Sequence, residues 1–157
     1  MANPDSLAQA TGDIVSNYRL GVIRGTQLNT AGNAVITIPI LNGGLTNSNA
    51  TVGSGSVIVR RVTVQNPIGS VASANISIGT TNDGANLVTA NTVLSSVSAA
   101  GKYQDISSTA TTSAVTGNVT QCFYVNVNTA SGNANTVDIV VWGDVCLLYT
   151  SPSPRDS

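Results

Sequence analysis

The densest group of reactive side chains in the sequence is Lys102-Tyr103-Gln104-Asp105, where a phenol and a carboxylate lie two residues apart. Such a pair could transfer protons in general acid–base catalysis if a further titratable group assisted it. The chain offers little for that purpose, since it contains no His, no Glu and a single lysine. A histidine-based triad, a His-ligated metal site and a paired-glutamate hydrolase are therefore excluded. We interpret the group as a surface cross-strand set and expect that the protein is not an enzyme.

A candidate cation site is the loop around Asp83, where Asn82 and Asn86 flank the carboxylate. A tight Ca²⁺ site needs several carboxylates, and this spacing is not that of an EF-hand. The run Asn82-Asp83-Gly84 is instead typical of a turn. We expect no metal ion and no other cofactor.

The adjacent Arg60 and Arg61 could contact a phosphate or an acidic partner. They lie where the hydrophobic alternation changes phase, because the valines up to Val59 share one phase and those from Val62 share the other. A β-bulge at this point would direct both sets of valines to one core. We interpret the arginines as markers of that bulge that also protect a strand edge. Since successive strand residues point to opposite faces, we expect that they do not form one patch.

Trp142 is the only tryptophan, and it alternates in phase with Val140 between Asp138 and Asp144. If the intervening apolar residues face the core, Val140 and Trp142 face outward. An exposed aromatic side chain beside a valine is a candidate interface anchor or a platform for stacking a sugar. Burial under the N-terminal arm or a loop is an equally good alternative.

Charged residues make up 8% of the 157 residues, against roughly a quarter in an average soluble domain. A chain with five arginines and a net charge of −1 is a poor match for a nucleic-acid binder, which must neutralise phosphates. No apolar run approaches the roughly 20 residues of a membrane span, and the N-terminus lacks the features of a signal peptide. We expect one soluble domain without a nucleic-acid or membrane partner.

The periodicity along the chain is that of strands. It predicts an all-β sandwich, jelly-roll or immunoglobulin-like, with about eight short antiparallel strands. Residues 1–17 are predicted to be an N-terminal arm, and residues 18–145 the single domain. Pro39 favours an edge position for its strand, and residues 130–134 are predicted to be a hairpin loop. The predicted strands are 18–27, 34–41, 57–66, 74–80, 92–97, 102–106, 121–128 and 136–145.

The composition changes abruptly after Val145, since the last 12 residues hold two of the five prolines and one of the two cysteines. Residues 146–156 resemble the translation of a transposase-type sequencing adapter, which implies a chain assembled from environmental or shotgun reads. We expect residues 146–157 to be a non-native tail whose deletion leaves the melting temperature unchanged. Cys122 is then the only native cysteine, and we predict a small core residue rather than a nucleophile.

Several segments together resemble small virion proteins of tailed bacteriophages, namely capsid-decoration (head-knob) and fibre β-sandwiches. The resemblance spans about residues 57–145 and implies a multi-copy structural role on the virion surface, with the major capsid protein or other virion proteins as partners and a homo-oligomeric assembly. The family has no catalytic signature to transfer. The segments that carry the resemblance are 61–67 (RVTVQNP), 74–84 (ANISIGTTNDG), 100–106 (AGKYQDI), 123–128 (FYVNVN) and 137–144 (VDIVVWGD).

The alternative function is that of a glycan-binding module of a tail fibre or surface adhesin, with Trp142 and Tyr124 contacting the sugar. In both cases the function depends on a surface rather than on a pocket. The candidate interface residues are Trp142, Val140, Arg60, Arg61 and Tyr124.

Overall fold

The structure, a computed structural model, describes residues 14–39, 55–81, 87–109, 114–116 and 122–147. Within these segments the chain forms nine strands and no helix, so no described segment is an apolar helix able to cross a membrane. The strands are β1 (Ile14–Gln27), β2 (Gly32–Pro39), β3 (Gly55–Gln65), β4 (Asn75–Gly79), β5 (Thr92–Val93), β6 (Gln104–Ser107), β7 (Ala114–Thr116), β8 (Cys122–Thr129) and β9 (Thr136–Leu147).

The strands form two antiparallel sheets, as the alternating pattern predicts. The first sheet has the order β1-β9-β3-β6, and β7 pairs with β3 along the same edge as β6. The second has the order β2-β8-β4-β5. The strands with the strongest alternation, β8 and β9, each lie between two neighbours, whereas β2 with its Pro39 lies at an edge. The predicted all-β sandwich and the edge position of Pro39 are confirmed.

A single apolar core joins the two sheets, and both contribute their inward-facing residues to it. β8 contributes Phe123 and β4 contributes Ile76 and Ile78, all fully buried. β9 contributes Ile139 and Val141 from the opposite side. This burial supplies the main stabilising free energy of the fold, at about 25 cal/mol for each Å² of apolar surface removed from water.

The connection between β8 and β9 differs from the prediction. Residues 130–134 are not a hairpin loop, because β8 belongs to the second sheet and β9 to the first. The segment crosses from one sheet to the other, and Ser131 at its start is held by a backbone hydrogen bond from its N–H to the carbonyl of Leu28 (2.7 Å). Two adjacent strands that each bury one face can either pair or face each other across a core, and the sequence pattern is the same in both cases.

Most predicted strand bounds shift by one or more residues, and β5 ends at Val93 rather than at residue 97. β1 begins at Ile14, inside the predicted arm, and β7 lies in a segment predicted to be a loop. β9 continues through Cys146 and Leu147, which pair with Ile14 and Gly55, so the strand includes the first two residues of the predicted tail. Backbone pairing depends little on side-chain identity, so it does not bear on the adapter-like sequence. Residues 148–157 lie outside the described residues.

Candidate interface on the outer face of the first sheet

β9 directs alternate side chains away from the core, and this alternation positions the candidate site. Val137, Ile139 and Val141 are fully buried in the core, while Trp142 lies on the outer face and is half-buried. Val140 shares this outer face and is outside the core cluster, yet it is only 3% exposed. The outward direction of both residues is therefore confirmed, but Val140 is covered and Trp142 alone of the two is accessible.

A chain of contacts fixes the orientation of the indole. The guanidinium carbon of Arg61 lies over the Trp142 ring, 5.4 Å from its centroid, in a cation–π arrangement. The indole Nε1–H donates a hydrogen bond to Oγ1 of Thr63 (3.1 Å), and this hydroxyl donates in turn to Oδ1 of Asp105 (2.6 Å). The hydroxyl of Thr63 thus acts as acceptor and donor at once, and the four side chains form one connected group across β9, β3 and β6.

The predicted bulge is present at Arg60, where the pairing of β3 with β9 shifts between Val59 and Arg61. The expectation that Arg60 and Arg61 point to opposite faces is wrong. Arg60 forms an ion pair with Asp144 (Nη2 to Oδ2, 2.6 Å), and Arg61 lies over Trp142. Asp144 and Trp142 are two residues apart in β9 and therefore share its outer face. A bulge sets two residues against one on the partner strand, so the usual alternation is lost there and both arginines reach the outer face.

Asp138 lies on the outer face of β9, four residues before Trp142, and its carboxylate accepts hydrogen bonds from two donors. Its Oδ1 accepts from the backbone N–H of Gly25 (2.9 Å) and its Oδ2 from the side-chain amide of Asn66 (2.8 Å). Asn66 follows the last residue of β3 and has a φ of 51°, a backbone conformation that asparagine tolerates better than most residues. Asp138 therefore ties the end of β3 to β1 across β9. No sequence signal pointed to this role.

Tyr124 does not join the other candidates. It alternates with the buried Phe123 and Val125 in β8, so it lies half-buried on the outer face of the second sheet. The two outer faces lie on opposite sides of the sandwich. A single ligand of ordinary size therefore cannot contact Trp142 and Tyr124 together. Cys122 shares the alternation of Tyr124, is a half-buried free thiol, and is not the small core residue that we predicted.

The other group with catalytic potential is a surface set, as interpreted from the sequence. Asp105 pairs with Thr63 across β6 and β3, while Lys102 and Tyr103 precede β6 and are exposed. Within the described segments, no group of three or more His, Cys, Asp or Glu side chains could hold a metal ion. Asp83 and its neighbours 82–86 lie outside the described residues.

Arg19 is a member of the site that the sequence did not reveal. Strand pairing places Arg19 of β1 opposite Trp142 on one side and Arg61 of β3 opposite it on the other. Both arginines are exposed. Only the register between β1 and β9 brings Arg19 to Trp142, and a register over such a sequence separation has no local sequence signal.

Comparisons with known proteins add no relative from which a role could be carried over. No family model matches the chain, and neither the curated proteins nor the solved structures contain a significant match.

The ion pair between Arg60 and Asp144 yields a prediction on stability. The Asp144 side chain is 8% exposed and that of Arg60 is 63% exposed, so Arg60→Gln removes a charged partner from a buried carboxylate. We expect the free energy of unfolding to fall by about 1–3 kcal/mol. Urea titration measures the change, and Arg24→Gln, at another exposed arginine, serves as control with an expected change within about 0.5 kcal/mol. Equal midpoints for the two variants would contradict the prediction.

Proposed function

We propose that the protein is a virion structural protein that coats or stabilises the head of a tailed bacteriophage as a capsid-decoration subunit. The proposal rests on the sequence resemblance given above, and the arrangement around Trp142 is the observation that supports it best. That arrangement is a sheet face on which the aromatic side chain of Trp142 lies between arginines of the two neighbouring strands. Tryptophan and arginine at the centre of a face are typical of protein–protein interfaces.

Pre-organisation is the second property of this face that suits a structural role. Asp144, Asp105 and Asp138 are each held by hydrogen bonds or an ion pair, and the Trp142 ring is fixed by Arg61 and Thr63. Side chains that are already ordered lose little conformational entropy on association. A subunit present in many copies gains from this economy at every contact, and the major capsid protein is the proposed partner.

The glycan-binding alternative requires a free indole. One face of the Trp142 ring lies against Arg61, and its N–H is donated to Thr63, so a sugar would find less of the side chain available. Tyr124, the second aromatic residue of that hypothesis, lies on the opposite side of the sandwich. The geometry therefore favours a protein partner over a carbohydrate.

The genes that flank this coding sequence on its source contig provide the first test. We expect capsid, portal or terminase genes beside it, and a contig without any of them would remove the basis of the proposal. Where a major capsid gene is present, its product can be expressed together with this protein and the assembled particles sedimented.

Trp142→Ala then tests the face itself. We expect the wild-type protein to sediment with the particles and the variant to lose at least tenfold in apparent affinity, because truncating a central aromatic anchor costs about 2 kcal/mol or more. Tyr124→Ala, which removes a half-buried aromatic ring from the other outer face, is the matched control and should sediment as the wild type does. Circular dichroism confirms that both variants are folded. If Trp142→Ala still sediments with the particles and Tyr124→Ala does not, the contact lies on the other outer face and the proposed interface is wrong.

A further inference from the structure

The two arginines beside Trp142 form a cationic row across three neighbouring strands. Arg19, Trp142 and Arg61 occupy one register position of β1, β9 and β3, and we call them the Arg-Trp-Arg row. Neighbouring strands lie about 4.8 Å apart, so the two arginines leave the sheet about 10 Å from each other. Both are exposed, and within the part of the chain that the structure describes neither forms an ion pair.

In the described segments, the acidic residues of the same face form no ion pair with Arg19 or Arg61. Asp144 is paired with Arg60, Asp105 accepts from Thr63, and Asp138 accepts from Gly25 and Asn66. The carboxylates are thus directed to other partners by bonds of 2.6–2.9 Å. Two guanidinium groups are left facing solvent on either side of an ordered indole.

We propose that the Arg-Trp-Arg row is a recognition site for carboxylate side chains of an acidic protein segment. The planar guanidinium fork matches a carboxylate in two parallel hydrogen bonds, and stacking on Trp142 holds Arg61 ready for that contact. The spacing of about 10 Å is close to the rise of three residues, about 9 Å, in a polyproline II segment, where residues i and i+3 lie on the same side, so acidic residues at these positions would reach Arg19 and Arg61 together. The identification of the partner as a protein rests on the proposed function; the positive charge of the row does not.

Other occupants fit the row less well. A nucleic acid is held through many phosphate contacts, and this row provides two arginines. A neutral or acidic sugar would use the indole face and N–H that Arg61 and Thr63 already occupy. A second copy of the chain, docked face to face, would bring the same arginines together without free carboxylates to meet them.

Binding of fluorescent peptides to the full chain tests the proposal. The probe is a proline-rich peptide of polyproline II conformation with Glu at positions i and i+3, and the comparison probe has Gln at the same positions. We expect saturable binding of the Glu peptide, weakened at least tenfold by the Gln exchange and by Arg19→Gln or Arg61→Gln. Raising the salt from about 0.05 to 0.5 M should weaken it further, because exposed charges are screened.

The control variant is Arg24→Gln, which removes an exposed arginine of β1 that does not flank Trp142 and should leave affinity unchanged. Equal loss in all three arginine variants would reduce the effect to net charge and overturn the proposal. A polyuronate or an oligothymidylate that binds more tightly than the Glu peptide would overturn it in favour of a glycan or a nucleic acid. If the Glu peptide binds as expected but the protein does not sediment with capsids, the recognition site is supported and the proposed function fails. If the protein sediments with capsids but does not bind the peptide, the proposed function is supported and the recognition site fails.

Discussion

Gly143→Ala is expected to lower the free energy of unfolding by about 3 kcal/mol or more. Gly143 lies in β9 on the core side, between β1 and β3, and it is fully enclosed there. A Cβ at this position would overlap the backbone carbonyl oxygen of Ile58 in β3 and would approach Cδ1 of Leu20 in β1 to 2.7 Å. Leu20 is 1% exposed, so any shift of its side chain has to take place inside the packed core.

The backbone contact makes this substitution worse than ordinary overpacking. A side chain can adopt another rotamer, whereas the carbonyl of Ile58 can move only if β3 moves, and β3 is paired with β9 and with β6 and β7. Overpacking of a core costs about 1–3 kcal/mol, and we place this variant at or above the upper end. Domains of this size have about 5–15 kcal/mol of stability in total, so the population of unfolded chains should rise by a factor of a hundred or more.

Guanidinium titration followed by circular dichroism measures the loss, and a second glycine provides the control. Gly101 has a φ of 77° and open space where a Cβ would be, so Gly101→Ala bears only the cost of a left-handed backbone conformation, about 1–2 kcal/mol. Gly143 has no left-handed backbone conformation, so a loss for Gly143→Ala larger than that for Gly101→Ala is attributed to the steric overlap. A midpoint for Gly143→Ala equal to that of the wild type would show that β3 and β9 separate more easily than the paired strands suggest.

The part of this fold that could be predicted from sequence is the part that alternation controls. The inward positions of β4, β8 and β9 follow from period-two patterns, and they are buried as expected at Ile76, Phe123 and Ile139. The bulge at Arg60 was predictable for the same reason, since a change of phase within one strand has few other solutions. Local patterns of this kind depend only on whether a side chain faces water or the core.

What the sequence did not predict depends on contacts between distant segments. The assignment of β8 and β9 to different sheets, and the position of Arg19 beside Trp142, follow from strand order and register. β7, with three residues, is too short to show a period. The prediction that Arg60 and Arg61 point to opposite faces was wrong because it applied the alternation rule across the bulge that the same residues indicate. The rule fails at the position where the extra residue enters.

Phe123→Ala is expected to have an effect of similar size through the opposite cause, a cavity. Phe123 is the only phenylalanine, is 0% exposed and lies in the middle of the second sheet, where β8 has a neighbour on each side. Removing its ring deletes the transfer free energy of the largest fully buried side chain in the described core and leaves space that paired strands cannot close. We expect a loss of about 3–5 kcal/mol.

The next residue along the strand gives the matched control for this prediction. Tyr124→Ala removes an aromatic ring of similar volume from the same strand, but the ring is half-buried on the outer face, so the expected loss is about half as large or less. Phe123→Leu should recover most of the stability, because it refills most of the space. The comparison therefore tests the inward direction of Phe123 and not the aromatic content of β8. A Tyr124→Ala variant less stable than Phe123→Ala would mean that β8 presents the other face to the core, which would invert every assignment of inner and outer positions in the second sheet.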